Sequence, residues 1–418
     1  MVEKDTLRQI VTQQKSSLSL AEKTVARELL DEILPWLKDN RVIILTGIRR
    51  SGKSTLLRQM MERETGYAYV NFEDERFIGF KAEDFEMLNE VLTESYDKIR
   101  TYFFDEIQNI EKFEAFVRRL QDQGKKIIIT GSNASLLSKE LGTKLTGRYK
   151  AFEVYPFSFR EYLIFKNINP SKEWFYLTEK KVELIRLFND YREKGGFPEY
   201  LKNNDQEYLK TIYDNILYRD IIARYAIKKQ KILKELVGVL AASVSSPFTY
   251  NALKKSLGLA NSITVKEYIS YLNNAYLFFE LQKFDYSLRK QLDAPKKIYF
   301  IDSAFSQVVG MNFSMNQGKV LENIVFIELK RKKSETYYYS GSNECDFVIK
   351  KGARIIRAIQ ACQSLSNENR EREVKGLLEA MSKFKLKEGL ILTQEQEEEI
   401  KVKGRKIKVM PVWKWLLE

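Results

Sequence analysis

Residues 47–54, GIRRSGKS, have the glycine, lysine and hydroxyl spacing of a loop that binds phosphate groups. In such a loop, backbone N–H groups at the start of a helix point at phosphate oxygens, and the glycines permit the tight backbone path. Lys53 would contact the β- and γ-phosphates of a nucleoside triphosphate, and the Ser54 hydroxyl would bind Mg²⁺. The predicted phosphate-binding residues are Gly47, Ile48, Arg49, Arg50, Ser51, Gly52, Lys53, Ser54 and Thr55.

Polar residues at the ends of two apolar runs predict the rest of this site. In TYFFDEIQNI, Asp105 would hold the Mg²⁺ ion, directly or through water, and Glu106 would orient or deprotonate the attacking water. The run KKIIIT continues into the polar residues Thr130 to Asn133. We assign Asn133 to contact with the γ-phosphate or the water. The alternative is that Ser132 or Asn133 serves only as the N-cap of a helix.

The elements that must position these residues alternate between short strands and helices. Apolar runs typical of strands lie at Arg41–Thr46, Tyr67–Phe72, Thr101–Phe104, Lys126–Thr130 and Tyr149–Val154. Helical patterns lie between them at Lys53–Arg63, Asp84–Lys98 and Lys112–Gln123. Continuous apolar strands separated by helices predict an α/β fold with a parallel sheet covered on both faces.

The rest of the sequence predicts further regions. Three helical patterns followed by two strands have the order of a winged helix, and Thr264 with Glu267 has the spacing of a capping box at the third helix. The third helix carries few basic residues, so an interdomain packing role competes with DNA binding for this region. The predicted domains are a parallel-sheet domain at 1–155, a helical region at 156–228, a winged helix at 229–310 and an α/β domain at 311–418.

The motifs GIRRSGKSTLLRQ, FFDEIQNI, ITGSNASLL and LTGRYKAFEVYPFSFREYL resemble those of a bacterial and archaeal family of AAA-type P-loop ATPases. GGFPEYL and YRDIIARY fit the helical region of the same family. The resemblance implies ATP and Mg²⁺ as cofactors, and an arginine that stabilises charge on the transferred phosphoryl group. Arg148 in TGRY is our first candidate for this arginine, and Arg219 and Arg224 are the alternatives.

The C-terminal region resembles a PD-(D/E)XK nuclease fold. Such sites hold Mg²⁺ with two carboxylates and use a lysine to activate water. Glu322 and Asp346 offer carboxylates, but Gln360 and Cys362 stand where the pattern has glutamate and lysine. We therefore expect a degenerate nuclease-like domain, used for nucleic-acid binding or domain docking, without nuclease activity.

Composition limits the chemistry and the partners. The 418-residue chain has no histidine, which excludes catalytic triads that depend on imidazole. Its two cysteines predict a reducing compartment, and the absence of a long apolar run or signal peptide predicts a cytoplasmic protein without a membrane partner. The net charge of +13 fits either binding of DNA through a basic surface or a generally lysine-rich surface.

Together these patterns predict a Mg²⁺-dependent ATPase whose hydrolysis moves the downstream regions and is coupled to nucleic-acid binding. The predicted catalytic residues are Lys53, Glu106, Asn133 and Arg148, and the predicted metal ligands are Ser54 and Asp105. Two alternatives remain open: a nucleotide-dependent switch or scaffold with slow hydrolysis, and an ATP-gated nuclease. Self-association is compatible with each.

Overall fold

In the computed structural model the chain divides into two units, Met1–Tyr155 and Pro156–Glu418. The described residues are 2–18, 24–134, 147–309 and 316–418. The strands of the first unit are β1 (Val42–Thr46), β2 (Tyr67–Asn71), β3 (Thr101–Asp105), β4 (Lys126–Gly131) and β5 (Tyr149–Glu153). Its helices are α1 (Lys4–Leu18), α2 (Glu28–Ile33), α3 (Lys53–Met61), α4 (Phe85–Ser95) and α5 (Phe113–Asp122). Short 3-10 helices lie at Leu34–Lys38, Glu75–Phe77, Ala82–Asp84 and Ile107–Asn109.

The five strands of the first unit form one parallel sheet in the order β2-β3-β4-β1-β5. Successive side chains of a strand point to opposite faces. Val42 and Ile44 therefore pack in a cluster with residues of α1, α4 and α5, whereas Ile43 and Leu45 pack in a second cluster with residues of α2 and α3. Burial on both faces explains why the strands are continuously apolar, and the predicted α/β fold class is confirmed.

Helix α1 covers the edge of this sheet as well as one face. Its apolar residues Leu7, Ile10 and Val11 are buried in the cluster with α4 and α5. The Gln14 amide N–H donates to the Asn71 carbonyl oxygen at 3.0 Å, and the Asn71 backbone N–H donates to the Gln14 side-chain oxygen at 2.9 Å. This pair of hydrogen bonds satisfies backbone groups of Asn71 that have no neighbouring strand, because β2 is the edge strand of the sheet.

The second unit contains the remaining elements. Its helices are α6 (Phe159–Phe165), α7 (Thr178–Lys194), α8 (Pro198–Asn203), α9 (Gln206–Asn215), α10 (Gln230–Ala242), α11 (Tyr250–Ser256), α12 (Ser262–Asn274), α13 (Leu288–Asp293), α14 (Ser306–Val309), α15 (Gln317–Arg331), α16 (Arg370–Lys383) and α17 (Val412–Leu417). A π-helix spans Ile216–Ala223, and 3-10 helices span Lys172–Phe175 and Ser303–Phe305. The strands are β6 (Phe278–Gln282), β7 (Lys296–Phe300), β8 (Glu335–Ser340), β9 (Glu344–Lys351), β10 (Arg354–Ala361), β11 (Glu388–Thr393), β12 (Glu398–Val402) and β13 (Arg405–Pro411).

A mixed six-stranded sheet is the centre of the C-terminal part, in the order β12-β13-β11-β10-β9-β8. The β10–β11 and β11–β13 pairs are parallel, and the other pairs are antiparallel. Strands β6 and β7 form a separate antiparallel hairpin. The backbone N–H of Phe284, just after β6, donates to the Tyr338 carbonyl oxygen of β8 at 2.8 Å. The hairpin is therefore attached to the edge of the large sheet.

Three helices and a hairpin are present where the sequence predicts a winged helix, and that name stays a prediction. The predicted capping box at Thr264 and Glu267 was wrong. Helix α12 begins at Ser262, and the Asn261 side chain caps it by accepting a hydrogen bond from the Ile263 N–H. Asparagine is as good an N-cap as threonine, so the helix starts at the earlier of the two signals. Within the described ranges, no helix is both long and apolar enough to cross a membrane.

Candidate functional site

The loop between β1 and α3 carries the predicted phosphate-binding residues. Its backbone takes positive φ values at Gly47, Arg50 and Gly52, of 150°, 65° and 94°. Helix α3 begins at the next residue, Lys53, so the free N–H groups of its first turn face the loop. The Lys53 side chain is buried, and its ammonium donates to the carbonyl oxygens of Gly47 and Ile48 at 3.1 Å each. The loop therefore curls around the lysine.

The carboxyl ends of β3 and β4 bring polar groups to the same place. The Thr130 hydroxyl of β4 donates to Asp105 of β3, and the Glu106 backbone N–H donates to the Thr130 hydroxyl oxygen at 2.9 Å. The Lys53 ammonium lies 3.5 Å from a Glu106 carboxylate oxygen, and Ser54 hydrogen-bonds Asp105. The lysine, both acidic residues and Ser54 thus form one network.

Asp105 is almost completely buried within this network. Burial raises the pKa of its carboxyl above the ordinary value, and the neighbouring charge of Glu106 adds to the shift. Hydrogen bonds from Thr130 and Ser54 and the charge of Lys53 act in the opposite direction. A cation placed beside Asp105 would favour its ionised form, because an opposite charge within a few ångströms lowers a carboxyl pKa.

Glu106 has an unusual backbone conformation for a residue with a side chain. Its φ of 51° and ψ of 38° lie in the left-handed region, where non-glycine residues are uncommon. Its carboxylate accepts a hydrogen bond from the Gln108 amide. Backbone strain of this kind is often found at functional sites, where neighbouring contacts hold a side chain in one direction. Here Thr130, Gln108 and Lys53 supply these contacts.

The residues present fit a nucleoside triphosphate with Mg²⁺. Ser51 Oγ is buried and makes no hydrogen bond to any part of the chain that the structure describes, so a donor or acceptor is available inside the loop. Ser54 and Asp105 offer the oxygen ligands that Mg²⁺ prefers. When bound, the ion would neutralise charge on the phosphates. Lys53 would then exchange its two carbonyl contacts for phosphate oxygens, and Glu106 would accept a proton from water or orient it.

Arg27 was not predicted as a site residue, but its side chain holds the phosphate loop in place. Its guanidinium is buried and donates to the Ser51 carbonyl oxygen and to the Tyr155 carbonyl oxygen, both at 2.7 Å. A Cβ atom at Gly52 would lie 2.7 Å from this guanidinium, so the glycine is needed for close approach. No sequence motif includes Arg27, because its two partners lie 24 and 128 residues away.

The other predicted residues are placed differently. Asn133 is fully buried and lies two residues beyond β4, at the carboxyl ends of the strands, where Asp105 also lies. Arg148 lies at the other end of the strands, where β1 begins. Its carbonyl oxygen accepts a hydrogen bond from the backbone N–H of Val42, and its guanidinium contacts Asp122 at 2.7 Å. At ~3.3 Å per residue, β1 separates Arg148 from the phosphate loop by roughly 15 Å. The structure does not bring Arg148 to its own loop.

In the second unit, Glu322 and Asp346 come together around a lysine that we had not expected there. Lys297 of β7 is buried, and its ammonium lies 3.1 Å from Glu322 and 3.0 Å from Asp346. Position 362 carries no lysine, as the sequence shows, and the positive charge beside the two carboxylates comes instead from Lys297, outside residues 311–418. Cys362 is buried, and burial raises the pKa of its thiol to about 12.

Gly47 is expected to be irreplaceable. A Cβ atom there would lie 2.1 Å from the Val154 carbonyl oxygen, and the φ of 150° is strained for any other residue. Gly47→Ala should lower the free energy of unfolding of the first unit by about 2–4 kcal/mol, measured by chemical denaturation. Gly79→Ala is the control, because Gly79 has a φ of 86° but no atom within 4 Å of its Cβ position. An equal loss in both variants would contradict the steric explanation.

Comparison with known families supports this description of the loop. A family model described as an AAA domain matches residues 39–163. Two domains of unknown function, DUF8612 and DUF4143, match residues 185–314 and 317–415. The AAA domain match and the parallel sheet agree, so the first unit is an AAA-type P-loop domain.

Similar proteins occur in archaea and bacteria. A protein of Methanocaldococcus jannaschii described as uncharacterized is 34% identical over 440 aligned positions, which cover 100% of this chain and 96% of that protein. One of Haemophilus influenzae, also described as uncharacterized, is 30% identical over 96% of this chain and 100% of its own length. Among solved structures, the Saccharomyces cerevisiae Hsp104–ADP complex matches with 16% identity and a TM-score of 0.33, covering 64% of this chain and 40% of that chain, a likeness too low to support an inference. The chain belongs to the family of AAA-domain proteins that includes the archaeal and bacterial relatives.

Proposed function

We propose that the protein binds ATP with Mg²⁺ and hydrolyses it in the first unit. This proposal rests on one network at the carboxyl ends of the strands, formed by Lys53, Asp105, Glu106 and Thr130. The network brings an acidic pair to the phosphate loop. Ser54 and Asp105 hold the metal, Lys53 stabilises charge on the phosphates, and Glu106 positions water for attack on the γ-phosphate. Asn133 is proposed to contact the γ-phosphate or that water.

The experiment is a measurement of ATP turnover by the full chain, in Mg²⁺ and after chelation with EDTA. We expect turnover that requires the metal and is competed by ADP. If the wild-type protein binds ATP but each molecule takes many minutes to hydrolyse one ATP, the result would support the switch or scaffold alternative instead. Protein that does not bind ATP would contradict both functions.

Coupling to nucleic acid is the second part of the proposal, and the net charge of +13 supports it. Turnover should be measured with single-stranded, duplex and branched nucleic acids at two salt concentrations. Stimulation that falls as salt rises would show that lysine and arginine side chains replace counterions on phosphates. Turnover that no nucleic acid changes at either salt concentration would contradict the coupling. In the coupled case we propose that hydrolysis rearranges the second unit.

The position of Arg148 connects this function to self-association. Because the guanidinium is half-exposed and roughly a full strand length from its own phosphate loop, we propose that it acts on nucleotide bound to a second copy of the chain. Turnover per molecule would then rise with protein concentration, and Arg148→Ala would remove that rise. Arg219 and Arg224 remain the alternative candidates.

A further inference from the structure

The side-chain oxygen of Gln108, Oε1, is buried and has no hydrogen-bond partner in the part of the chain that the structure describes. A buried oxygen that accepts no hydrogen bond costs free energy, so native structures seldom contain one without a reason. Gln108 lies two residues beyond Glu106, in the short turn that follows β3. The oxygen is therefore at the same end of the sheet as the carboxylate that is proposed to position water.

The nitrogen of the same amide group determines where this oxygen lies. Nε2 of Gln108 donates a hydrogen bond to Oε2 of Glu106. Because Nε2 and Oε1 belong to one planar amide, the oxygen without a partner lies beside the Glu106 carboxylate. The two side chains therefore present a carboxylate and a neutral acceptor oxygen next to each other.

The other carboxylate oxygen of Glu106 faces the phosphate loop. Oε1 of Glu106 lies 3.5 Å from the Lys53 ammonium, which donates its hydrogen bonds to the carbonyl oxygens of Gly47 and Ile48. Gln108 thus holds one oxygen of the carboxylate, and the other oxygen is directed toward the place of the phosphates. When Lys53 contacts phosphate oxygens instead, this second oxygen becomes available to water.

Three hydrogen bonds hold the turn that carries Gln108. The Asn109 backbone N–H donates to the Glu106 carbonyl oxygen at 3.1 Å, and the Asn109 side-chain amide donates to the Phe72 carbonyl oxygen at 3.1 Å. The Phe72 backbone N–H donates in turn to the Asp105 carbonyl oxygen at 2.9 Å. The turn is therefore tied to the carboxyl ends of β2 and β3, and the amide is oriented before nucleotide binds.

We propose that Gln108 is a further catalytic residue that holds the attacking water together with Glu106, an inference that rests on the proposed ATP hydrolysis. A water molecule has two O–H groups. One donates to the Glu106 carboxylate, and the other donates to Oε1 of Gln108. With both hydrogens engaged, a lone pair of the water oxygen is directed at the γ-phosphorus. Through Nε2, Gln108 also keeps the Glu106 carboxylate in one orientation.

The hydrolytic step needs no reactant besides ATP and water. The water oxygen forms a bond to the γ-phosphorus, and the bond from that phosphorus to the oxygen shared with the β-phosphate breaks. ADP leaves with the electron pair of the broken bond, and one water proton passes to Glu106, which later returns it to solvent. Gln108 neither gives nor takes a proton, so its contribution is orientation. We therefore expect it to affect the rate of hydrolysis and not the affinity for nucleotide.

The test measures single-turnover hydrolysis and equilibrium binding of MgATP by the full chain. Gln108→Met keeps the length of the side chain without its polar atoms, and it should lower the rate of hydrolysis by about 10- to 100-fold while Kd stays within about threefold of wild type. Gln108→Glu keeps the shape and should be at least as slow, because it loses the donor to Glu106 and places a second negative charge beside it. Gln123→Met is the control, since Gln123 is an exposed glutamine of the same unit, and it should change neither quantity.

A double-mutant comparison separates this role from a merely structural one. In a chain that already carries Glu106→Gln, the change Gln108→Met should alter the rate of hydrolysis by less than about threefold, because residues that hold one water act as a unit. Melting temperatures measured by circular dichroism show whether each variant folds.

Several outcomes would overturn the role of Gln108 and leave the proposed ATPase intact. They are a wild-type rate in folded Gln108→Met or Gln108→Glu, losses that add fully in the double variant, and a loss of MgATP binding that accompanies a lower melting temperature. Wild-type protein that hydrolyses no ATP would overturn both the role of Gln108 and the proposed function.

Discussion

Lys53→Ala is expected to weaken MgATP binding by about 10- to 100-fold and to reduce hydrolysis by ~10³-fold. The Lys53 ammonium is buried in the loop and is the positive charge nearest to Glu106 in the network, at 3.5 Å. Its removal leaves the triphosphate without a charge-assisted donor. It also leaves Asp105 and Glu106 without the cation that offsets their mutual repulsion.

Binding should be measured by calorimetric titration, and hydrolysis by phosphate release. Lys38→Ala is the matched control, since Lys38 is an exposed lysine of the same unit outside the phosphate loop. Circular dichroism melting shows whether Lys53→Ala still folds. A folded Lys53→Ala variant that hydrolyses ATP at the wild-type rate would refute the assignment of the loop as the nucleotide site.

Glu106→Gln is expected to lower kcat by about 10²- to 10⁴-fold while leaving the affinity for MgATP nearly unchanged. Glutamine keeps the size of the side chain and can still hydrogen-bond, but it cannot accept a proton from water. The backbone contact from the Glu106 N–H to Thr130 does not depend on the side chain, so the strained turn should persist. The variant should therefore accumulate as the ATP-bound form.

The measurements are single-turnover hydrolysis and equilibrium ATP binding, with Glu111→Gln as control because Glu111 is an exposed glutamate in the same segment. Loss of ATP binding in Glu106→Gln would show that this residue has a structural role instead. If wild type and Glu106→Gln hydrolyse ATP equally slowly, the switch alternative replaces the ATPase.

Comparison of the two variants is more informative than either alone. Lys53→Ala changes the bound ground state and the transition state, whereas Glu106→Gln changes only a step that follows binding. A nucleic-acid affinity that differs between the two would assign the coupling to ATP binding. Equal affinities would assign it to hydrolysis.

The sequence predicted the first unit closely because its signals are local. The strand predicted at Lys126–Thr130 is observed at Lys126–Gly131, and the helix predicted at Lys53–Arg63 is observed at Lys53–Met61. Continuous apolar runs determine strands that are buried on both faces, and the loop residues determine where α3 begins.

Spatial order could not be read from these signals. Strand β4 pairs with β3, which places Thr130 beside Asp105, and β5 pairs in parallel with β1, which puts Arg148 at the end of the strands opposite the phosphate loop. The family resemblance suggested an arginine near the nucleotide, and the parallel pairing of β5 with β1 separates Arg148 from its own loop.

The sequence by itself determined the phosphate loop, the acidic pair, the α/β class and the carboxylates of the second unit, since each depends on residue types within one strand or turn. Only the tertiary structure decided the partners of buried charges. Arg27 meets Tyr155 across 128 residues, and Lys297 meets Glu322 across 25 and Asp346 across 49. A buried charge must be paired, but its partner is whichever group long-range packing brings within about 3 Å, and residue spacing does not encode that choice.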